Sequence, residues 1–429
     1  MGDHATDRCY EVFALEKLIR SPLPDHGQYC RNRYFGALDG LRCLSIVWVI
    51  GFHAALGGTT LFRRGDCGVG LFFVISGFLI TTLLLREKAK NGTISLKNFY
   101  ARRTLRIFPL YYAAILLYTL LVIAVEHGPE RAAFFHHLPF YLTYTNNWFV
   151  DRFGAEHVIF AFSWSLATEE QFYLLWPSIL RFTTGKRGPL IAIGAALALA
   201  GTANVLQATG HLHLGETGNR IATSIAMPIC LGCALAYALD SARFFRKLRA
   251  VLGHLLSAPA ALLLMMSVYA LLIHAPADSI MERWLAVPLT AAMLLLVGTC
   301  CIREDNGLAW LMANPIARYV GTISYGMYLL HMLALNGVKK LIPAHDWRFF
   351  AFSLTCSIAL ASASYWLYER QFLKLKHRFA SRVPNEPVKP SLDPMDHGIK
   401  ISAADVESKP SSLSAACRLA GEQRSLTVI

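Results

Sequence analysis

Two ionisable residues, Arg42 and His53, lie eleven positions apart in one apolar run of the sequence. On an α-helix this spacing turns about 1100°, about 20° beyond three full turns, so both side chains lie on one face with about 16 Å of axial rise between them. Ionisable groups inside a membrane span are costly and usually functional. The pair therefore predicts a channel lined by a cation and a titratable base.

Acidic residues from two other segments can support this histidine. Asp66 precedes the second apolar span after a short loop, so its carboxylate can return to His53 and orient it as a general base, or it can pair with a neighbouring loop arginine. Glu169 and Glu170 lie at least one turn inside a later apolar helix, at the predicted depth of His53. Their side chains diverge by about 100°, so we expect only one of them to face the site.

Basic residues gather near the start of the third span. Arg103 and Arg106 are three positions apart and share a helix face close to Pro109. Guanidinium groups suit phosphates, whereas positive-inside anchoring explains basic residues here but not their tight spacing. An acyl-CoA can present its phosphates to these arginines and to Arg42 on the inner side, while its pantetheine arm carries the thioester up to His53.

Two further polar residues lie within apolar spans, Ser76 in the second and His331 in the ninth. The glycines around Ser76 favour close helix packing, and a substrate channel would need the same property. His331 either supports the site or forms a hydrogen bond to a neighbouring helix. Both residues are therefore candidates rather than assignments.

The composition is typical of a polytopic membrane protein. Of 429 residues, 55% are hydrophobic and 16% are charged, and the mean hydropathy is +0.40. We therefore expect an all-α, integral membrane helix bundle of about ten transmembrane helices. The predicted spans are residues 38–56, 69–85, 107–125, 165–182, 189–206, 221–239, 258–274, 284–301, 320–341 and 349–368.

Lysine and arginine counts predict the orientation of this bundle. With both termini cytoplasmic, the inner loops carry 21 of these residues and the outer loops 9. Residues 134–149 are interpreted as a partly buried or interfacial loop, because an eleventh span there would reverse the predicted orientation of every later span. The chain is then divided into a cytoplasmic arm (1–37), a transmembrane domain (38–370) and a proline-rich, disordered cytoplasmic tail (371–429).

Composition also excludes several classes of partner. The net charge of +13 follows from the loops and the tail, and no basic patch is interleaved with aromatic residues, so we expect no nucleic-acid partner. The ten cysteines are scattered. Cys230 and Cys233 have CxxC spacing, but they lie in an apolar helix without a nearby histidine, so we expect no metal site and no bound cofactor.

At these residues the chain resembles the acyltransferase-3 family of membrane O-acyltransferases, which modify bacterial surface polysaccharides, lipopolysaccharide O-antigens, nodulation factors and some macrolides. The resemblance covers roughly residues 38–372. It rests on Leu-Asp-Gly-Leu-Arg ending at Arg42 and followed by His53, on the run from Phe72 to Phe78, on Arg103 and Arg106 before Pro109, on Glu169 before Gln171-Phe172-Tyr173, and on Ser324-Tyr325 before His331. The chain departs from the family at Glu369-Arg370-Gln371, where a proline is usual, and its tail is too short for the esterase-like domain of some members.

The resemblance implies that His53 is the catalytic histidine, that Glu169 rather than Glu170 is essential, and that the arginines bind the acyl donor. The complete predicted site is catalytic His53, Asp66 and Glu169; donor-binding Arg42, Arg103, Arg106 and Ser76; and supporting Tyr173 and His331.

We therefore expect an inner (plasma) membrane, multi-pass O-acyltransferase that moves a short acyl group, acetyl from acetyl-CoA, to a hydroxyl of a cell-surface or exported polysaccharide or glycolipid. Its partners would be the acyl-CoA co-substrate, the carbohydrate or glycolipid acceptor and membrane lipid. Three alternatives stay open: acylation of a small secondary metabolite such as a macrolide, a proton-coupled exporter that uses His53, Glu169 and His331 as a relay, and a non-catalytic scaffold. Exporters often have paired halves, and the sequence has no second copy of the arginine-to-histidine pattern.

Overall fold

The computed structural model describes residues 23–32, 34–54, 62–151, 158–183, 185–211, 214–276, 279–342 and 347–379. Within these ranges the chain forms helices, turns and irregular connections but no strand. The helices are α1 (His26–Arg31), α2 (Gly36–His53), α3 (Asp66–Asn91), α4 (Leu96–Val125), α5 (Pro129–Leu142), α6 (Asn146–Phe149), α7 (Trp164–Phe182), α8 (Arg187–Ala208), α9 (Gly215–Thr223), α10 (Met227–Asp240), α11 (Ala242–Leu252), α12 (Ser257–Leu272), α13 (Ile280–Ile302), α14 (Ala309–Met312), α15 (Pro315–Lys339), α16 (Trp347–Ser364) and α17 (Arg370–Leu375).

Seven helical segments of the described chain are long and apolar enough to cross a membrane, and the bent pair α11 and α12 would make eight. These seven are residues 36–53, 67–91, 96–125, 187–207, 215–240, 281–302 and 347–375. The remaining predicted spans lie on α7 and α15, which are less apolar because they carry polar residues such as Glu169, Glu170 and His331. The all-helical membrane fold is thus confirmed, while the count of ten and the side of each terminus stay predictions.

Small residues allow the central helices to approach closely. A Cβ atom on Gly77 of α3 would clash with the carbonyl oxygen of Ile229 in α10, and one on Gly232 of α10 would clash with the carbonyl oxygen of Val74. A Cβ atom on Gly321 of α15 would likewise overlap the backbone of α2. Close backbone contact between small residues is how helices associate within a membrane. These contacts hold α2, α3, α10 and α15 together around the polar residues of the bundle.

The segment predicted as an interfacial loop, residues 134–149, is largely helical. Tyr111 lies near the middle of α4, and its hydroxyl donates to the carbonyl oxygen of Tyr141 at 2.9 Å. The next residue, Tyr112, donates to the carbonyl oxygen of Leu142 at 3.1 Å. Because α5 starts beyond the end of α4 and finishes beside its middle, α5 re-enters the bundle from that end. The chain then continues toward α7 through two aromatic residues with positive φ, Tyr144 and Phe160.

Helical structure also continues into the range predicted as a tail. After α16, a π-helical turn (Tyr365–Glu369) leads into α17 and a 3-10 turn (Lys376–Phe379). Arg102 of α4 donates to the carbonyl oxygen of Phe379 at 2.8 Å. Residues 371–379 therefore pack onto the bundle, and residues 380–429 lie outside the described part of the chain.

Candidate active site

A cavity of about 320 Å³ lies between α3, α4, α7 and α15. Its wall along α3 reaches from Val69 to Glu87, which corresponds to about 27 Å of helix. This length is close to the hydrocarbon thickness of a bilayer, about 30 Å. We call the end near Val69 the upper end and the end near Glu87 and Lys376 the lower end. An elongated ligand could therefore occupy much of the depth of the bundle.

The three predicted donor-binding arginines all line this cavity. Arg42 of α2 is paired with Asp39 at 2.6 Å, whereas Arg103 and Arg106 have no ion-pair partner within the described ranges. The guanidinium of Arg103 lies 4.8 Å from the ring centroid of Tyr173. Arg106 is solvent-exposed although it sits within the bundle, because its accessible surface faces the cavity. Two cationic groups are thus available to an anionic ligand.

Arg103 and Arg106 lie further inside their helix than the sequence suggested. The third span was predicted to start at residue 107, but α4 starts at Leu96, so Arg103 is already two turns inside the helix. Arg103 reaches Tyr173, whose hydroxyl contacts Ser76 near the middle of α3, and the cytoplasmic position of the arginines stays a prediction.

Ser76, Glu169 and Tyr173 form a connected polar network in the middle of the cavity. Ser76 Oγ donates to Glu169 Oε1 at 2.7 Å, and the Tyr173 hydroxyl donates to Ser76 Oγ at 3.2 Å. With Arg103 stacked on the ring of Tyr173, the carboxylate of Glu169 lies close to the cations. Glu169 therefore belongs to the arginine cluster, and the prediction that it lies at the depth of His53 is wrong.

The starting point of α7 explains this difference in depth. Phe162, just before α7, packs its ring 5.0 Å from the ring of His331. Glu169 follows seven residues later, which places it about 10 Å further along the helix axis. Because Phe162 contacts His331, α7 begins at the level of the histidines and carries Glu169 away from them.

Both neighbouring carboxylates reach the cavity, contrary to the expectation that only one of them would. Glu169 and Glu170 line it together with Ser165, Leu166 and Tyr173. The lining therefore covers a wide arc of α7. Adjacent side chains about 100° apart can both face such a broad cavity.

His53 and His331 are in contact with each other, beyond the upper end of the cavity. Their ring centroids are 4.9 Å apart, and neither residue lines the cavity. Tyr328, one turn before His331 on α15, does line the cavity, and its hydroxyl lies 2.6 Å from Ser165 Oγ. Tyr328 thus lies between the cavity and His331, because its ring centroid is 5.7 Å from that of His331.

Backbone contacts define the tautomer of each histidine. His53 Nδ1 lies 2.9 Å from the carbonyl oxygen of Val49, and His331 Nδ1 lies 2.6 Å from the carbonyl oxygen of Tyr328. A carbonyl only accepts hydrogen bonds, so each neutral ring carries its hydrogen on Nδ1 and keeps a lone pair on Nε2. The Nε2 atom of His331 has no hydrogen-bond partner among the described residues. Each imidazole is therefore oriented as a proton acceptor through Nε2.

Asp66 begins α3, but its side chain lies outside the described part of the structure, so its role beside His53 stays a prediction. Asp39, which the sequence reasoning missed, pairs with Arg42 and accepts a hydrogen bond from the Tyr34 hydroxyl at 2.7 Å. Its position three residues before Arg42 on one helix could have revealed it.

Comparison with known proteins adds a family match and several relatives. Residues 35–366 match the family described as an acyltransferase domain. The chain is 28% identical to the peptidoglycan O-acetyltransferase OatA of Listeria monocytogenes over 339 residues, which cover 74% of this chain and 52% of OatA. It is also 28% identical to the putative peptidoglycan O-acetyltransferase YrhL of Bacillus subtilis, covering 82% of this chain and 57% of YrhL.

A putative O-acetyltransferase of Staphylococcus aureus (strain COL) is again 28% identical, covering 81% of this chain and 58% of that protein. The chain therefore spans little more than half the length of these relatives. No solved structure matches the chain significantly.

Proposed function

Because the chain belongs to the acyltransferase domain family, we propose that it is a membrane O-acyltransferase that moves an acetyl group from acetyl-CoA to a carbohydrate hydroxyl. One observation carries this proposal: a long cavity with cations at its middle ends at Tyr328, and beyond it lie two contacting histidines whose Nδ1 atoms face backbone carbonyls, so that each keeps an Nε2 lone pair for a proton. The relatives are named as O-acetyltransferases, and the names of two include peptidoglycan, which supports a glycan acceptor.

The shape and charge of the cavity support an acyl-CoA donor. Its phosphates would lie against Arg103 and Arg106, which lack ion-pair partners in the described ranges, with Arg42 nearby. The pantetheine arm is long, thin and only moderately polar, so it suits the part of the cavity between the arginines and Tyr328. The thioester would then reach the upper end, near Tyr328, with the histidines just beyond.

The histidine would supply general-base catalysis. Nε2 of His53 would remove the proton of the acceptor hydroxyl as the oxygen attacks the thioester carbonyl carbon. The tetrahedral intermediate would then collapse with cleavage of the carbon–sulfur bond. The departing CoA sulfur would receive the proton held by His53, which returns the ring to its neutral state. His331 would support this step through its ring contact with His53.

The two substrates would reach this site from opposite sides of the membrane. The acyl-CoA would enter at the lower end, predicted to be cytoplasmic, and the acceptor would approach His53 from the opposite side. The acceptor would be a cell-surface or exported polysaccharide or glycolipid, and the protein would reside in the inner membrane with both termini in the cytoplasm.

Radiolabelled acetyl-CoA added to membranes that contain the protein tests this function. Label should appear in a glycan fraction with the wild-type chain, and His53→Ala should abolish the transfer while the protein stays inserted. Label found only in an extractable small molecule would replace the glycan acceptor by a secondary metabolite. An absence of any protein-dependent transfer would refute the acyltransferase proposal and favour an exporter or a scaffold.

A further inference from the structure

Helix α11 meets α12 at a bend of 80°. With α12 as a span along the membrane normal, this bend would place α11 nearly parallel to the membrane plane. The two helices are joined by only four residues, so α11 lies directly at the end of α12. This geometry is that of an interfacial helix.

The surface of α11 is divided into three arcs. A buried arc (Phe245 and Leu252) packs against the protein, with exposed fractions of 0% and 6%. An exposed apolar arc (Phe244 and Val251) presents 55% and 70% of its surface. No described residue packs over the apolar arc. An exposed apolar surface of this kind is unfavourable in water but favourable in the acyl region of a bilayer.

The third arc is basic and consists of Arg243, Arg246 and Lys247, all of which are exposed. None of the three has a hydrogen-bond or ion-pair partner within the described ranges. The nearest acid in sequence, Asp240, is already paired with Lys186 at 2.7 Å. The positive charge of this arc is therefore not neutralised by the protein around it.

The order of the three arcs around the helix determines where each one points. Counted from Ala242 at about 100° per residue, the basic arc covers about 40° to 140°, the apolar arc about 180° to 200° and the buried arc about 280° to 300°. The basic arc therefore points away from the protein, and the apolar arc lies next to it. A helix at the membrane surface would sink its apolar arc into the acyl chains and hold its basic arc at the level of the surrounding headgroups.

We propose that α11 is an interfacial helix whose basic arc binds the headgroups of anionic phospholipids. The occupant is a lipid rather than a free anion, because the apolar arc beside the cations supplies contacts that only an acyl chain satisfies. Clustered basic residues at a membrane surface attract anionic lipid through their summed charge, and this attraction weakens as salt increases.

The full-length protein, purified in a neutral detergent, provides the test through its midpoint of thermal unfolding. Phosphatidylglycerol should raise the midpoint in a saturable way, because a ligand that binds only the folded state stabilises it. Phosphatidylcholine and inorganic phosphate should each raise it far less. In the variant Arg243→Gln/Arg246→Gln/Lys247→Gln, the phosphatidylglycerol needed for half of the shift should increase at least tenfold.

A matched control removes three exposed cations elsewhere, Lys90→Gln/Lys97→Gln/Arg187→Gln, and should respond like the wild type. An unchanged response in the α11 variant, or an equal loss in the control, would overturn the proposal. Equal stabilisation of the wild type by inorganic phosphate would identify an anion site instead of a lipid site and would also overturn it. A wild-type titration at low and high salt needs no variant: stabilisation that does not weaken at high salt would contradict an electrostatic headgroup contact.

Discussion

Replacing Arg103 by glutamine should selectively weaken the use of acetyl-CoA. The guanidinium lines the cavity, stacks on Tyr173 at 4.8 Å and has no ion-pair partner among the described residues, so its charge is available to the donor. A hydrogen bond to a charged group contributes about 1.5–3 kcal/mol. At about 1.36 kcal/mol per factor of ten, the loss corresponds to a rise in the KM for acetyl-CoA of about 10- to 150-fold. The value of kcat should change little, because Arg103 lies well below the histidines.

Steady-state initial rates, measured against acetyl-CoA at a fixed acceptor concentration, give this KM. The matched control is Lys97→Gln, which removes the same charge from an exposed position on the same helix and should leave the KM unchanged. Acetyl-pantetheine, which lacks the nucleotide and its phosphates, isolates the contact in question. With this truncated donor, the wild type and Arg103→Gln should have similar kcat/KM, because the interaction that the substitution removes is absent from both.

Three results would refute the reasoning. An unchanged KM for acetyl-CoA would mean that Arg103 does not contact the phosphates. An equal loss with acetyl-pantetheine would show that the substitution perturbs the cavity itself rather than one charge contact. An equal effect of Lys97→Gln would point to the general field of the basic helix rather than to a placed guanidinium.

Three further predictions concern catalysis, packing and the N-terminal arm. His53→Gln should lower kcat by a factor of about 10² to 10⁴, the usual contribution of a general base. The radiolabel assay, normalised to the amount of inserted protein, measures this kcat. Wild-type turnover in the variant would remove His53 from the mechanism. Gly77→Ala should destabilise the protein by about 1–3 kcal/mol, because its Cβ atom would clash with the carbonyl of Ile229. Thermal unfolding should show a lower midpoint for this variant, whereas the control Gly194→Ala, at a helix position with open space around it, should unfold like the wild type. Equal midpoints for the two variants would contradict the close packing of α3 on α10. Arg86→Gln should loosen the segment around α1, because Arg86 donates to two backbone carbonyls there and stacks over two aromatic rings. Limited proteolysis within residues 23–34 should become faster. An unchanged proteolysis rate would mean that these contacts do not hold the segment in place.

Much of the site was predictable because its strongest signals are local. Arg42 and His53 share a face of one helix, and the 3.6-residue repeat alone determines their separation along the axis. The spacing of Arg103 and Arg106 likewise predicts a shared face, and both side chains do reach the cavity. The apolar runs predict the helices for the same reason, since their lengths follow from the thickness of the bilayer.

The relations between helices could not be predicted in this way, because they depend on contacts between residues far apart in the chain. Glu169 was expected beside His53, but α5 re-enters the bundle, α7 starts at the level of His331, and Glu169 lies next to Ser76 instead. The ring contact between His53 and His331 joins two helices that are distant in sequence.

The sequence by itself therefore determined which residues are polar inside apolar helices and which of them share a face, since both follow from local geometry. Only the tertiary structure decided how deep each residue lies and which residues meet. A helix can shift along its own axis without any change in its residue pattern, so depth depends on the loops and close packing that hold the helices at a fixed height.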